Sequence, residues 1–290
     1  MKKHINSIII LVILAYAFLL SGCNSSINNP DKNKEKNTNT PVTSHSTDIP
    51  QDEQEKELDS IEIPLTLEAI TAGNIYLLSK NAFERISIQK NNGLIVDTAE
   101  IIEVQPGDKI HFYGNNYKYG EADPNSLTNS PVNLTIKCTA DCYVYGNVMS
   151  LLYYTKFTGK TQIPDKYAFQ KFFQNNTHIK NHEILDIVLP ATTLSDYCYA
   201  NMFQGCSGLT RAPELPATKL AKECYSFMFC DCEKLNYIKC LATDISAADC
   251  TKDWLNGVAA NGTFTKYTSM TNWPTGETGI PSGWTVIDAE

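Results

Sequence analysis

The chain has 290 residues, of which 42% are hydrophobic and 19% charged, and carries a net charge of −8. That composition is ordinary for a folded protein and leaves room for two modest domains. An acidic chain without a basic cluster argues against nucleic acid as a partner.

The chain opens MKKHINSIIILVILAYAFLLSGC, a basic start leading into an apolar run from Ile8 to Leu20. Residues 1–22 read as an export signal, too short and too abruptly ended by small residues to anchor a membrane by themselves. Leu20-Ser21-Gly22-Cys23 resembles the bacterial lipobox. That resemblance implies cleavage before Cys23 and lipidation of its thiol; an ordinary signal with a chance cysteine is the weaker alternative. Several acyl chains would hold the protein firmly, at about 0.8 kcal/mol per buried CH₂. The membrane is thus the first expected partner, through Cys23, with the protein in the outer membrane and exposed at the cell surface. Residues 23–60 are Asn, Ser, Thr, Pro, Lys and acid with almost no large apolar side chain. Such a stretch cannot offset its ordering entropy and is expected to be a disordered tether.

From 61 to 157 short alternating runs such as IEIPLTLEAI, FERISIQ and IIEVQPGDKIHFYG are separated by Gly, Asn, Asp or Pro. This pattern predicts strands at regular spacing and a small β-sandwich. QPGD at 105–108 and Asn91-Asn92-Gly93 read as turns. KCTADCYVY reads as a hairpin that would set Cys138 opposite Cys142, close enough for a disulfide; on one straight strand they would stand about 13 Å apart and could not bridge.

Between 158 and 260 the chain repeats itself. LPATTLSDYCYANMFQGCSGLTRAPE, from Leu189, matches LPATKLAKECYSFMFCDCEKLNYIKC, from Leu215, at an offset of 26 residues. AFQKFFQNNTHI precedes them at an offset of 30, the extra residues lying in NHEILDIV, and LATDISAADCTKDWLNGVA follows at 26. A period of this length predicts stacked units sharing one core. Cys198, Cys224 and Cys250 recur at one slot, Cys206 and Cys232 at another. Buried thiols stacked between units are favoured over a ladder of bridges, and both over a metal site, since no CxxC pair seeds one. His178 and His182 could share a helical face as metal ligands, though a pair in a loop is the simpler reading. No motif of a known catalytic class appears, and the carboxylates are scattered. Residues 261–290 read as a terminal cap holding Trp273 and Trp284, with sugar stacking by those rings as the alternative.

At CYxxMFxGCxxLxxAPELPAT the chain resembles the BspA-like leucine-rich-repeat surface proteins of host-associated anaerobic bacteria. The resemblance implies an α+β architecture: a small β-sandwich, then a short leucine-rich-repeat solenoid with a C-terminal cap. Each repeat would supply a strand near LxxAPxL and a helical or irregular turn near CYxxMFxGC. APEL departs from the leucine-rich consensus and puts strand register in doubt, because proline removes a ladder donor. If Ala212 and Ile238 point inward, alternation leaves Arg211, Pro213, Tyr237 and Lys239 on the exposed strand face. These four are the candidate ligand residues. The resemblance further implies a non-catalytic adhesion module, without cofactor or metal, that contacts a host or bacterial surface protein. The alternatives are a self-associating envelope component and a glycan-binding accessory.

Overall fold

The computed structural model describes residues 60–78, 86–97, 100–116, 119–120, 134–276 and 278–289. The described residues all belong to one compact unit, Asp48–Glu290. The signal segment, Cys23 and nearly all of the tether lie outside the described residues. No described helix is long and apolar enough to cross a membrane.

The first strands are β1 (Thr66–Ala69), β2 (Gly73–Leu78), β3 (Ile86–Lys90), β4 (Ile95–Asp97), β5 (Ile101–Val104) and β6 (Lys109–Gly114). β7 (Thr135–Cys138) and β8 (Cys142–Asn147) follow. They form two sheets. In one, β8, β1, β6, β3 and β4 lie side by side and antiparallel; in the other, β2 runs between β5 and β7. The alternation read from the sequence sorts their faces. Leu67, Ile110, Phe112 and Val144 turn inward from the large sheet; Ile75, Ile102, Val104 and Ile136 turn inward from the small one, and all are buried in one cluster. Each such side chain contributes about 1.5–3 kcal/mol on burial. The Asn91 turn forms as expected, with Asn91 at a φ of 53° and Gly93 N–H bonded to Lys90 C=O. QPGD closes on itself through Asp108, whose carboxylate accepts the Gln105 N–H at 2.8 Å.

KCTADCYVY is not the expected hairpin. Among the described residues β7 pairs only with β2, whereas β8 pairs with β1 and with two later strands, so residues 139–141 carry the chain from one sheet to the other. Cys138 and Cys142 are both free and buried; the Cys142 thiol donates to Ala140 C=O at 3.4 Å, and the Cys138 sulfur accepts from the Asn176 amide at 3.4 Å.

The expected α+β leucine-rich-repeat solenoid does not form. The structure is mostly β, in three sheets. The named helices among the described residues are α1 (Ser150–Tyr153) and a 3-10 turn at Tyr154–Lys156. Between 158 and 260 the named strands are short: β9 (Ile179–Asn181), β10 (Ile187–Val188) and β11 (Tyr237–Cys240). β9 and β10 run parallel to β8, end to end along its free edge. The repeated segments become turn layers instead.

Backbone hydrogen bonding explains this. In the second repeat Ala200, Met202, Gln204 and Cys206 donate back three residues, to Tyr197, Tyr199, Asn201 and Phe203. The alternate N–H groups of Tyr197, Tyr199, Asn201, Phe203 and Gly205 reach across to the carbonyls of Lys222, Cys224, Ser226, Met228 and Cys230 in the next segment. An α-helix satisfies its interior donors within one segment; here half of them tie neighbouring segments together. Every fourth residue is left-handed: Tyr197, Asn201 and Gly205, then Glu223, Phe227 and Asp231, then Asp249, Asp253 and Gly257. That rhythm is incompatible with a right-handed helix. The strand half fails for a different reason. Around Pro213, which has no N–H to give, only the isolated bridges Arg211↔Tyr237 and Leu215↔Cys240 remain.

The layers align their large rings. Phe169, Tyr199, Tyr225, Trp254 and Trp273 stack in sequence at centroid spacings of 5.7, 6.1, 6.3 and 5.6 Å. Phe173, Phe203 and Phe229 form a second column. The nine cysteines from Cys138 to Cys250 are free and buried. Cys206 and Cys232 donate their S–H to Phe173 C=O and Phe203 C=O in the layer before. Burial pushes the Cys198 and Cys206 thiols up to about 12.

The chain ends on β12 (Thr263–Tyr267) and β13 (Thr285–Ala289), parallel to β11 in the order β11-β12-β13. Trp284 lies so close over Gly262 that a Cβ there would meet its ring at 2.6 Å. Trp284 donates to Ala259 C=O and Trp254 to Gly279 C=O. Trp273 and Trp284 are only 8% and 7% exposed, so neither ring offers a sugar a face to stack on.

Candidate functional site

Of the four residues proposed for a ligand face, the structure brings two together. Ala212 and Ile238 do point into the core. Pro213, however, is buried. With no ladder to hold alternation through the proline, the next residue, Glu214, emerges instead. Arg211 is occupied structurally. Its guanidinium bonds to the Asp186 carboxylate at 2.7–2.8 Å and to the carbonyls of His182 and Leu185. It thus braces the extra residues that lengthen the first repeat.

His182 secures the same bulge from within. Its Nδ1 accepts the N–H groups of Ile184 and Leu185 at 3.1 and 3.0 Å, which places any ring proton on Nε2. Its ring sits edge-on to Tyr143 and Tyr145. Burial, the largest influence, lowers its proton affinity. Tyr145 donates to the Glu68 carboxylate, which Lys109 also approaches. His178 instead faces Asp141, which Lys180 shares. The two histidines flank β9, and four residues of extended chain separate them by about 13 Å, too far to share an ion. Among the described residues no cluster of three His, Cys, Asp or Glu could hold a metal.

Tyr237 and Lys239 stand on the outer face of the β11-β12-β13 sheet, at the edge of an open cleft of about 340 Å³. Register builds it. Lys239, Thr265 and Ile287 lie side by side across the three strands. Tyr237 belongs to the row with Thr263, and Tyr267 to the row with Ala289. The two tyrosine rows are four residues apart, about 13 Å along the strands. Tyr237 is 38% and Tyr267 40% exposed. The charges around the cleft are matched: Lys239 pairs with Glu214 at 2.8 Å, and Lys266 with Asp288. Thr265, in the middle row, is 5% exposed, and its hydroxyl oxygen, closed off from solvent, has no hydrogen-bond partner among the described residues.

Thr265, Tyr267, Ile287 and Asp288 were not singled out from the sequence. NGTFTKYT and GWTVID carry the signal: polar and apolar residues alternating just after a glycine. They lie beyond the last repeat, where the 26-residue period no longer applies. Comparison with protein-family models, with curated proteins and with solved structures finds no match to this chain.

Proposed function

We propose that this chain is a lipid-anchored, surface-exposed binding module of a bacterial envelope, without catalytic activity. It presents the outer face of its C-terminal parallel sheet to a partner on host or bacterial surfaces. The observation that carries the reading is the cleft between Tyr237 and Tyr267, floored by Thr265. Amphipathic rings at the rim and a few fixed polar groups at the floor are the ordinary make-up of a recognition site. The lipobox at Cys23 and the tether composition of residues 23–60 support display away from a membrane. The BspA-like resemblance supports adhesion. The cleft's amine and carboxylate are each tied in an ion pair, which leaves recognition to the rings and the neutral polar groups.

Attachment of bacteria that display the wild-type chain tests this, against bacteria displaying Tyr237→Ala with Tyr267→Ala. Host cells and other bacteria serve as targets, and protease shaving confirms equal display. The double variant should lose most attachment. Equal attachment at equal display would move the site elsewhere. A self-associating component is the second reading, favoured by the edge strand β13, where Val286 and Ile287 are exposed. An uncovered edge is a template for pairing. Concentration-dependent oligomers of the purified chain, abolished by Ile287→Lys, would favour that role.

A further inference from the structure

Resting on the binding reading, we infer that the ligand of the C-terminal cleft is a neutral saccharide, gripped between Tyr237 and Tyr267 with a sugar hydroxyl bonded to Thr265. The chemistry of the floor selects it. A buried hydroxyl without a partner is costly, and natural structures seldom tolerate one without a use. Thr265 is such a group at the centre of the cleft's middle row. It both donates and accepts, so it is best answered by another hydroxyl. A turn about χ1 exchanges its methyl and hydroxyl between staggered positions, the adjustment a ligand would select.

The charges argue against an ionic ligand. Lys239 is held by Glu214 and Asp288 by Lys266. An anion or cation would have to break an existing pair to gain its own. The face argues against an extended peptide, which docks by adding to a sheet edge, where backbone groups are open. On this face the row of Lys239, Thr265 and Ile287 offers side chains only. A sugar presents apolar C–H faces to tyrosine rings and hydroxyls to a polar floor. Tyrosine rows about 13 Å apart suit a short oligosaccharide lying along the strands.

The experiment uses the full-length chain in detergent micelles on an array of neutral, sialylated and sulfated oligosaccharides, with unglycosylated protein spots beside them. Retention should fall on neutral spots and drop about tenfold or more in Tyr237→Ala and in Tyr267→Ala. Thr265→Val keeps the shape and removes only the hydroxyl. It should also lose about tenfold, the worth of one hydrogen bond, with melting unchanged. Neutral-glycan retention undiminished in all three variants would overturn the site. Retention confined to charged glycans or unglycosylated protein would overturn the saccharide assignment. Retention on no spot would overturn it too; attachment of displaying bacteria, if still dependent on Tyr237 and Tyr267, would then leave the binding module standing. If that attachment is also absent, both inferences fall.

Discussion

In the antiparallel sheets of residues 66–147, neighbouring side chains point to opposite faces, and the backbone bonds sideways to strands distant in sequence. In the layers of residues 165–258, the backbone also bonds sideways, through every second N–H, but the intervening groups close turns of three residues within the layer. The two regions write themselves into the sequence differently. A sheet shows a period of two, which any single strand reveals. A turn layer shows no local period of helix or strand, only a slot that recurs 26 residues later. The comparison teaches that a long-range repeat reports stacking without reporting the conformation of what is stacked.

The hardest blow to the layers is a charge in a shared slot. Cys206 is fully buried and donates its thiol to the layer before. Cys206→Asp would place a carboxylate there with only Lys137 in electrostatic reach, and that amine is already bonded to Gln174 C=O; the cost, on the order of several kcal/mol, rivals a domain's whole stability. Circular dichroism should show loss of the cooperative melt. Phe203→Ala empties the middle of a ring column and should cost about 3–5 kcal/mol. If denaturant unfolding shows the same penalty in the layers and in Ile75→Ala of the sheets, the two regions unfold as one. If the layers melt first, they are separate cooperative units.

The backbone difference can be probed more gently. Asp249 is exposed, with a φ of 53°. A left-handed residue costs roughly 1–2 kcal/mol, less for Asn and Asp and nothing for glycine. Asp249→Gly should therefore stabilise only slightly, by under about 1 kcal/mol once the extra entropy of the unfolded chain is counted. Asp249→Val should destabilise. The same glycine placed at Val144, in mid-strand and buried, should destabilise. A loss of stability in Asp249→Gly would remove the left-handed rhythm as the reason these segments are not helical.

Leu67, Ile75, Phe112 and Val144 were legible because alternation is a local signal of burial. Cys198, Phe203 and Met202 were legible as slots, because equal residues at equal spacing stack. Their conformation was not, since it depends on which N–H groups find partners in another segment, and residues such as Tyr197, Glu223 and Phe227 carry no preference for the left-handed region. Tyr237 and Lys239 were placed correctly on the outer face. Pro213 was not, because the alternation rule was extended through a residue that breaks the ladder on which the rule depends. The cleft's other half lay past the repeats. Its most telling feature, an unpartnered hydroxyl on Thr265, is a property of three-dimensional surroundings that no spacing records.

The junction between the regions should respond to acid. The bulge between β9 and β10 is held by His182, whose Nδ1 accepts two backbone N–H groups. Burial is the main cause of its lowered proton affinity; Glu68 opposes it, and Lys109 and Arg211 add to it, against Glu183. The unfolded chain therefore binds this proton more readily than the folded one. Stability from His182 is complete above the ordinary histidine range and falls as pH drops through that range toward the lowered value. Hydrogen exchange at Ile184 and Leu185 should quicken on acidification, beyond what intrinsic rates require. His182→Gln should remove the extra pH dependence. Amide protection independent of pH would show that Arg211 alone holds the bulge.

The smallest effect compares two buried hydroxyls, one in each region. Ser150 is completely engaged: it donates to Phe112 C=O at 2.8 Å and accepts the Leu65 N–H at 3.1 Å. Thr265 is nearly as buried, and its hydroxyl engages none of the described residues. Removing a partnered hydroxyl orphans the groups it served, at about 1–3 kcal/mol, whereas removing an orphan relieves a desolvation penalty. Ser150→Ala should thus lower the melting temperature. Thr265→Val, which conserves shape, should leave it unchanged or raise it slightly. If Thr265→Val destabilises as much as Ser150→Ala, its hydroxyl has a partner within the fold and no reason to seek one from outside. If it is neutral for stability yet costly for binding, the hydroxyl is kept for the ligand.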